Sequence, residues 1–465
     1  MPIKKMGMHW YMTDEEVLDL RNQLDSMRAD GIYNPGKWYM SGFNRKPEVL
    51  GAALPDHMPK KVVLKDITLR TAEQTPGVVL NPQERLRLLR GSLEAGVTSF
   101  QTTYGLHRHP PEQLKSEIEF IKNVRSDARI EIVGAHSKEA IDLMVKLGAN
   151  TVSLQGPANF GISAFYGVSE TAKLAWEGKD WRTLVKPPKS MEELIARNKP
   201  LIDHAKKQGL EVKASLNMLH YATEEHIERF SREMADAGAD YIALHDGPGG
   251  MGPQAIAYAV TIAKKAAPKV KIAMHLHDTF GLAVAVNIAA VQAGAELLEV
   301  AINGYCCAAG QTDLAQIAGA LEVMYGVDTG IHLDKLTDLR RLGEEVTGIK
   351  VAGNHPVTGE NYFVWSGNNG VAMEGLVDPL IHWCVDASVF GNKGGWLIDQ
   401  TSGYWSIAEK MSELDIPVEK AEVESILKEV QVELLKQKRT LSDEEIRSIA
   451  IRVKDAAQKS ISSAI

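Results

Sequence analysis

Cysteine is scarce in this 465-residue chain, which contains only Cys306, Cys307 and Cys384. An odd number of cysteines, two of them adjacent, gives no disulfide framework and indicates a reducing compartment. No window approaches the roughly 18 to 20 consecutive apolar residues that a membrane-spanning helix requires. The N-terminal stretch MPIKKMGMHWYMTDEE also lacks the apolar core of a signal peptide. We therefore expect a cytoplasmic protein without a membrane partner.

Blocks of basic residues are also missing. The net charge is -8, and charged residues make up 24% of the chain. The lack of basic blocks argues against nucleic acid as a partner, and we expect a small-molecule substrate instead. Because 44% of the residues are hydrophobic, the chain can bury a large core, and its length allows one barrel-sized domain plus a smaller one.

One pattern recurs along the chain: a helix-like stretch ends in glycine, and a short apolar run follows. Glycine just past a helix end accepts the left-handed backbone conformation that other residues resist. A short, β-branched apolar run is typical of a buried parallel strand. The pattern appears in SLEAGVTSFQTTYG (92–105), VKLGANTVSLQG (145–156), AKKQGLEVKASLN (205–217), MADAGADYIALHDG (234–247) and VQAGAELLEVAING (291–304).

Three more predicted strands fit the gaps in this series, at 61–69, 128–136 and 270–278. Eight strand–helix units in succession predict a (β/α)8 TIM barrel, an α/β fold. A doubly wound sheet is the alternative. Since no strand is followed by G-x-G-x-x-G, a dinucleotide site is not expected.

The predicted barrel sets the domain boundaries. We expect an N-terminal extension over 1–60, the catalytic barrel over 61–325 and a smaller, mainly helical C-terminal region over 326–465. The long excursion after the fourth strand, residues 157–195, emerges on the active-site face of a barrel. It is therefore a candidate lid or substrate-specificity element.

The active site of a TIM barrel lies at the carboxyl ends of its strands. In the stretch MHLHDTFG, His275 and His277 are two residues apart at the end of a strand, so both point to the same side. Neutral imidazole is a ligand for several divalent metals. The alternative is a pair of hydrogen-bonded histidines at a strand end. The polar residues at the predicted strand ends are Arg70, Thr71, Gln101, His136, Gln155, Asn217, His245, Asp246, His275, His277 and Asn303.

Three segments resemble one family of enzymes. KDITLRTAEQTPG (65–77) is similar to the signature D-T-T-L-R-D-G-E-Q-x-P-G. HLHDTFGLAVAVNIAAVQAGAELLEVAINGYCCAAGQTDL (275–314) resembles H-x-H-N/D-x-x-G-x-A-x-A-N followed by N-G-x-G-E-R-x-G-N. NHPVTGENYFVWSGNNG (354–370) resembles P-I-V-G-x-N-A-F-x-H-E-S-G-I-H. These motifs belong to the metal-dependent TIM-barrel family of isopropylmalate synthase, homocitrate synthase and hydroxymethylglutaryl-CoA lyase. The resemblance covers roughly 60–460 and is closest to the synthase branch.

The resemblance implies a reaction type. A divalent metal ion (Mn, Mg, Zn or Co) holds an oxo or hydroxy acid, and a carbon–carbon bond is made with, or broken to release, an enolate, often that of acetyl-CoA. The expected protein is thus a Claisen- or aldol-type acyltransferase acting on an oxo acid and an acyl-CoA or related donor. An aldolase or lyase that cleaves a hydroxy acid or hydroxyacyl-CoA is the alternative, and a non-catalytic small-molecule-binding relative is the second. The synthases also imply a homodimer.

The chain departs from the family at several site positions. Arg70 matches the arginine that stabilises the developing enolate oxygen, but Thr71 stands at the position of the metal-binding aspartate. Because Gln101 and Ala301 replace further substrate-site residues, the expected substrate differs from that of isopropylmalate synthase. The other replacements are Gln311 for the metal-binding asparagine, Cys307 and Ala308 for a Glu-Arg pair, and Asn369 for the histidine of S-G-I-H.

A changed ligand set follows from these departures. We expect the metal ligands to be His275, His277, His245 and Gln311, with either His245 or Thr71 replacing the lost aspartate. His245 is otherwise hydrogen-bonded to Asp246 or substrate. The expected catalytic residues are Arg70, Gln101 and Cys306, and the expected substrate-binding residues are Arg70, Thr71, Gln155 and Asn303. Cys306 aligns with the loop cysteine of the lyases, and a small buried loop residue is its alternative role.

Overall fold

Two compact units make up the chain. One is Asn44–Val351, and the other combines Met1–Phe43 with Ala352–Ile465. The predicted boundaries after residues 60 and 325 stay a prediction. Most of the excursion 157–195, together with Asn369, lies outside the described residues. The computed structural model describes residues 13–29, 31–46, 58–104, 106, 108–158, 177–178, 188, 190–366 and 377–462.

The larger unit contains a closed barrel of eight parallel strands, β3 to β10, in which each strand pairs with its neighbours in the chain and β10 pairs with β3. The predicted TIM barrel and all eight predicted strands are confirmed. The strands of the chain are β1 (Ile32–Asn34), β2 (Trp38–Met40), β3 (Val63–Asp66), β4 (Ser99–Tyr104), β5 (Arg129–Val133), β6 (Thr151–Pro157), β7 (Glu211–Asn217), β8 (Tyr241–Asp246), β9 (Lys271–Leu276), β10 (Ala295–Val300), β11 (Val364–Ser366) and β12 (Gly395–Leu397).

Helices alternate with the strands and begin at capping residues. Asn81 and Thr223 each accept a hydrogen bond from the backbone N–H three residues later, which satisfies a donor that the first helical turn leaves open. The described helices are α1 (Asp14–Arg28), α2 (Thr68–Thr71), α3 (Pro82–Glu94), α4 (Pro111–Val124), α5 (Lys138–Leu147), α6 (Met191–Lys207), α7 (Glu224–Asp236), α8 (Pro253–Ala266), α9 (Ala283–Gln292), α10 (Leu314–Gly319), α11 (Leu336–Thr347), α12 (Tyr404–Glu413), α13 (Lys420–Gln437) and α14 (Asp443–Ser462).

The glycines of the recurring pattern have the backbone conformation that the pattern predicts. Gly96, Gly148, Gly209, Gly238 and Gly294 all have positive φ angles, between +77° and +105°. Only glycine adopts this conformation without a steric cost from Cβ. Each glycine turns the chain from a helix into the next strand, so the five predicted connections are confirmed.

The smaller unit joins both ends of the chain. Arg28 of α1 forms an ion pair with Asp378, and Trp38 of β2 forms an antiparallel bridge with Val385. Helices α12 to α14 bury an apolar cluster, at whose centre Ile407, Met411, Ile426, Val430 and Ala450 have no exposed surface. Among the described residues, none of the helices combines the length and the apolar character that crossing a membrane would need.

Candidate active site

The candidate site lies at the carboxyl ends of the barrel strands. Arg70 is on α2, directly after β3, and His245 is near the end of β8. His275 is in β9, and His277 follows that strand by one residue. Gln311, on the loop after β10, forms an isolated antiparallel bridge with His277. Parallel strands therefore bring together residues that are up to 241 positions apart in the sequence.

Three imidazole rings stand in a row across this site. The rings of His245 and His275 are stacked, with centroids 4.7 Å apart and planes inclined by 29°. The rings of His275 and His277 are 5.4 Å apart and inclined by 59°. His245 and His275 are register partners of β8 and β9. The geometry thus agrees with the expectation that His275 and His277 project to one side, and it adds His245 to the row.

Hydrogen bonds assign the tautomer of His275. Its Nδ1 lies 2.7 Å from a carboxylate oxygen of Glu299, and its Nε2 lies 2.9 Å from the amide nitrogen of Gln311. A carboxylate only accepts, so Nδ1 carries the proton and donates it. The lone pair of Nε2 therefore faces Gln311. A carboxylate behind the distal nitrogen is the arrangement that orients histidine ligands in metal sites.

Burial keeps the three imidazoles neutral. It lowers the pKa of His277 to about 3, with further lowering by His275 and Arg70. Burial also lowers the pKa of His245 well below its ordinary value and lowers that of His275, although Glu299 opposes the second shift. Neutral imidazole is the form that binds a metal ion.

Four charged residues lie in the barrel interior beneath the histidines. Lys213 forms ion pairs with Glu131, at 2.9 Å, and with Glu299, and Lys65 forms a second ion pair with Glu131. All four side chains are at most 2% exposed. The sequence interpretation missed them, although Glu131, Lys213 and Glu299 each stand between two apolar residues of a strand. That pattern is the signal that could have identified them, because an isolated charge in a buried strand needs a partner.

Gln101 and Thr71 are both buried at the site. The amide nitrogen of Gln101 donates to Glu131 at 2.6 Å, while its Oε1 has no hydrogen-bond partner among the described residues. The hydroxyl of Thr71 donates to the carbonyl oxygen of Ile67 at 3.1 Å, one turn back along its own helix. Thr71 therefore directs its hydroxyl into the backbone, which favours His245 over Thr71 as the substitute for the lost aspartate.

Two predicted substrate-binding residues make contacts away from the histidines. Asn303 adopts a left-handed backbone conformation, with φ of 53°, and its amide donates to the phenol oxygen of Tyr305 and to the carbonyl oxygen of Arg340 in α11. Gln155 is on β6, and its main-chain carbonyl oxygen accepts a hydrogen bond from the guanidinium of Arg197. Their roles in substrate binding stay predictions.

Cys306 lies close to the histidines. Its sulfur is 3.5 Å from the amide oxygen of Gln74 and 3.7 Å from the sulfur of Cys307. Burial, followed by the neighbouring Cys307, raises the pKa of the Cys306 thiol to about 11, and the charge of Arg70 opposes this shift. The thiol is therefore protonated at neutral pH and is not a ready nucleophile.

Two buried acceptors of the expected ligand set lack a hydrogen-bond partner. Nε2 of His245 and Oε1 of Gln311 are buried and have no hydrogen-bond partner among the described residues. Such orphaned acceptors are costly unless a ligand or ion satisfies them. Together with His275 and His277 they are the neutral set of imidazole and amide donors that the sequence predicts. The ring nitrogens of the three histidines do not all lie within 4.8 Å of one another, so this ligand set stays a prediction. Imidazole-rich sites suit Zn, Co and Fe better than Mg, which prefers carboxylate and water oxygen.

Comparisons with known proteins identify the family of the chain. The model of the HMGL-like family matches residues 61–342. The 2-isopropylmalate synthase of Methanocaldococcus jannaschii is 30% identical over 86% of this chain and 72% of its own length. The homocitrate synthase AksA of Methanothermobacter thermautotrophicus is 27% identical over 85% of this chain and 93% of its own.

Among solved structures, the HMG-CoA lyase of Bacillus subtilis has the same fold, with a TM-score of 0.51 at 20% identity, over 63% of this chain and 96% of the lyase. The family model covers well over half of the chain, and it spans the barrel that carries Arg70 and the histidine row. The chain therefore belongs to the HMGL-like family.

Proposed function

We propose that this protein is a divalent-metal-dependent enzyme that joins an oxo acid to the enolate of an acyl-CoA or a related donor. It is an enzyme of its family, either an acyltransferase of the isopropylmalate or homocitrate synthase type or a carbon–carbon lyase. The observation that carries the proposal is the position of four residues beside Arg70 at the carboxyl end of the barrel, namely His245, His275, His277 and Gln311. In TIM-barrel enzymes, the active site lies at that end of the barrel.

The four donors would hold the metal ion. When bound there, a divalent ion supplies Lewis-acid polarisation of a substrate carbonyl. Glu299 positions the His275 ring through Nδ1, and its negative charge partly offsets the absence of an anionic ligand. A neutral ligand set would leave more positive charge on the ion than an anionic set, so the ion would polarise a carbonyl more strongly and would be held more weakly.

Arg70 supplies the fixed positive charge of the site. Its side chain is nearly buried, and its charge acts on His245, His275, His277 and Cys306, as the pKa shifts of those groups show. A guanidinium in that position stabilises the negative charge that develops on the enolate oxygen when the new bond forms or breaks. Burial strengthens this interaction because little water screens it.

The substrate of this enzyme differs from that of isopropylmalate synthase. Gln101 presents a neutral amide whose nitrogen is held by Glu131, and Ala301 offers no hydroxyl to a substrate carboxylate. Compared with the site of isopropylmalate synthase, this pocket therefore offers two fewer polar contacts to an oxo acid. The Oε1 of Gln101 has no hydrogen-bond partner among the described residues, so it can accept a hydrogen bond from a substrate with a hydroxyl or amide donor at this position.

A lyase is the second candidate, and the position of Cys306 favours it. The buried thiol lies on the loop after β10, beside the bridge between His277 and Gln311. A protonated thiol there can donate a proton to the departing enolate. The same residues serve condensation in the reverse direction, so the substrates decide between the two candidates.

The test is a turnover assay on protein loaded with one metal ion at a time. Acetyl-CoA is mixed with a panel of oxo acids, and released CoA is measured by its thiol. We expect CoA release that requires the oxo acid, is lost with a chelator and is abolished by His275→Ala. His204→Ala, on the outer helix α6, is the control and keeps the activity. Release of an aldehyde or ketone from hydroxy acids instead identifies the lyase. If no metal ion gives either CoA release or aldehyde or ketone release, the proposal is overturned.

A further inference from the structure

Three soft donor groups converge beside the histidine row. The sulfur atoms of Cys306 and Cys307 and a ring nitrogen of His277 all lie within 4.8 Å of one another. Cys307 is exposed to solvent, whereas Cys306 is buried. Neither thiol belongs to the imidazole and amide set described above, and Cys307 has no part in the proposed reaction.

The distance between the two sulfur atoms suits two ligands of one ion. They are 3.7 Å apart, far beyond the roughly 2.05 Å of a disulfide bond. Two thiolates bound tetrahedrally to zinc at about 2.3 Å each are separated by about 3.8 Å. The two thiols therefore already stand at the spacing of adjacent ligands, although consecutive residues often point their side chains apart.

The loop that carries the thiols is tightly built. The N–H of Gly310 donates to the carbonyl oxygen of Cys307 at 3.0 Å, and the N–H of Gln311 donates to that of Gly304 at 2.8 Å. A Cβ added at Gly310 would lie 2.4 Å from the oxygen of Gly304, so this turn requires glycine. The hydroxyl of Thr75 donates to the carbonyl oxygen of Cys306 at 3.3 Å. These bonds fix the backbone that carries both thiols before any ion binds.

We propose that His277, Cys306 and Cys307 form a binding site for a thiophilic divalent ion such as Zn²⁺, with a fourth position open to solvent beside Cys307. Binding replaces the two thiol protons, which leave to solvent, with bonds from both thiolates to the ion. Thiolate ligands select Zn and Co over Mg and Mn. They also supply the negative charge that the imidazole and amide set lacks.

The site is tested by binding rather than by turnover, because His277 also belongs to the proposed catalytic set. Metal-free protein is titrated with Co²⁺ while the thiolate-to-cobalt charge-transfer absorption is recorded. We expect the band in the wild type and in Cys384→Ser, whose exposed cysteine lies in the other unit. Cys306→Ser and Cys307→Ser each reduce the band at saturating Co²⁺ to about half or less, and the double variant loses it. Each single variant also weakens Co²⁺ binding by more than about tenfold. Loss of an outer-shell residue typically lowers metal affinity roughly 10- to 100-fold, and loss of a direct ligand lowers it at least as much.

A second measurement keeps the inference testable if a variant fails to fold. In the wild type, alkylation of Cys307 is followed by mass spectrometry with and without Zn²⁺, and Cys384 in the same molecule is the internal control. We expect Zn²⁺ to protect Cys307 and not Cys384. Co²⁺ binding without a thiolate band, or equal alkylation of Cys307 with and without Zn²⁺, overturns the site. Neither result bears on the turnover assay, so the two proposals fail separately.

Discussion

The two faces of the barrel strands differ sharply in chemistry. On the outer face, Leu64, Ile130, Val152, Ile242 and Leu298 are apolar and at most 2% exposed. On the inner face, alternate positions of four strands carry Lys65, Glu131, Lys213 and Glu299, which are just as deeply buried. These four charges meet across the interior, because their ion pairs join strands that are not neighbours in the barrel.

This difference in chemistry indicates that the two faces contribute to the protein in different ways. The apolar outer face contributes hydrophobic stabilisation to the barrel. The inner face has two cations and two anions, so the charges balance, but their burial is costly unless every partner is present. One of them, Glu299, also hydrogen-bonds His275. The interior charges therefore connect the stability of the barrel to the geometry of the candidate site.

The largest effect is expected from removing the central cation. Lys213→Met keeps the length of the side chain but leaves Glu131 with one cation and Glu299 with none of its lysine partners. We expect the free energy of unfolding to fall by about 3–5 kcal/mol, the cost of breaking a buried ion pair from one side. Urea denaturation followed by far-UV circular dichroism measures the change.

The matched control is Lys206→Met. Lys206 also forms an ion pair, with Asp240 at 2.7 Å, but both groups are exposed. Exposed pairs contribute about 0 to 1 kcal/mol. Equal losses for the two variants would contradict the special role of the inner face.

A smaller effect, and one on the site itself, is expected from Glu299→Gln. The amide no longer orients the Nδ1–H of His275 as a carboxylate does, so we expect the affinity for a divalent ion to fall roughly 10- to 100-fold. Isothermal titration with Zn²⁺ or Co²⁺ measures it. Glu131→Gln is the control, because Glu131 also binds Lys213 but has no contact with a histidine among the described residues. The same loss of affinity in both variants would mean that the inner face acts only through stability.

The smallest effect is expected on the outer face. Ile242→Val removes one methylene from a fully buried side chain of β8, and we expect a loss of about 0.5–1.5 kcal/mol in the free energy of unfolding. Ion affinity stays unchanged, since the side chain points away from the histidines. Ile451→Val in α14, where the side chain is 49% exposed, is the control and changes stability by less than about 0.5 kcal/mol. Weaker ion binding by Ile242→Val would contradict the division between the faces.

Much of the fold was predictable because its signals are local. The eight strands, the glycines that end the helices and the shared side of His275 and His277 all follow from the spacing of residue types. The ligand replacement at Thr71 was also visible, but the direction of its hydroxyl was not. Nor could the sequence predict that Asn303 binds α11, since that contact joins residues 37 positions apart.

By itself, the sequence determined the outer face of the barrel and the order of its elements, because strand and helix periodicity need only neighbouring residues. Only the tertiary structure decided which charges inside the barrel meet, which nitrogen of His275 carries its proton and how close Cys306 and Cys307 come to His277. Those outcomes depend on closure of the barrel, which brings β3 against β10 and sets the stagger of every strand. Pairing energies across a closed interior belong to the assembled barrel and are absent from any single segment of the chain.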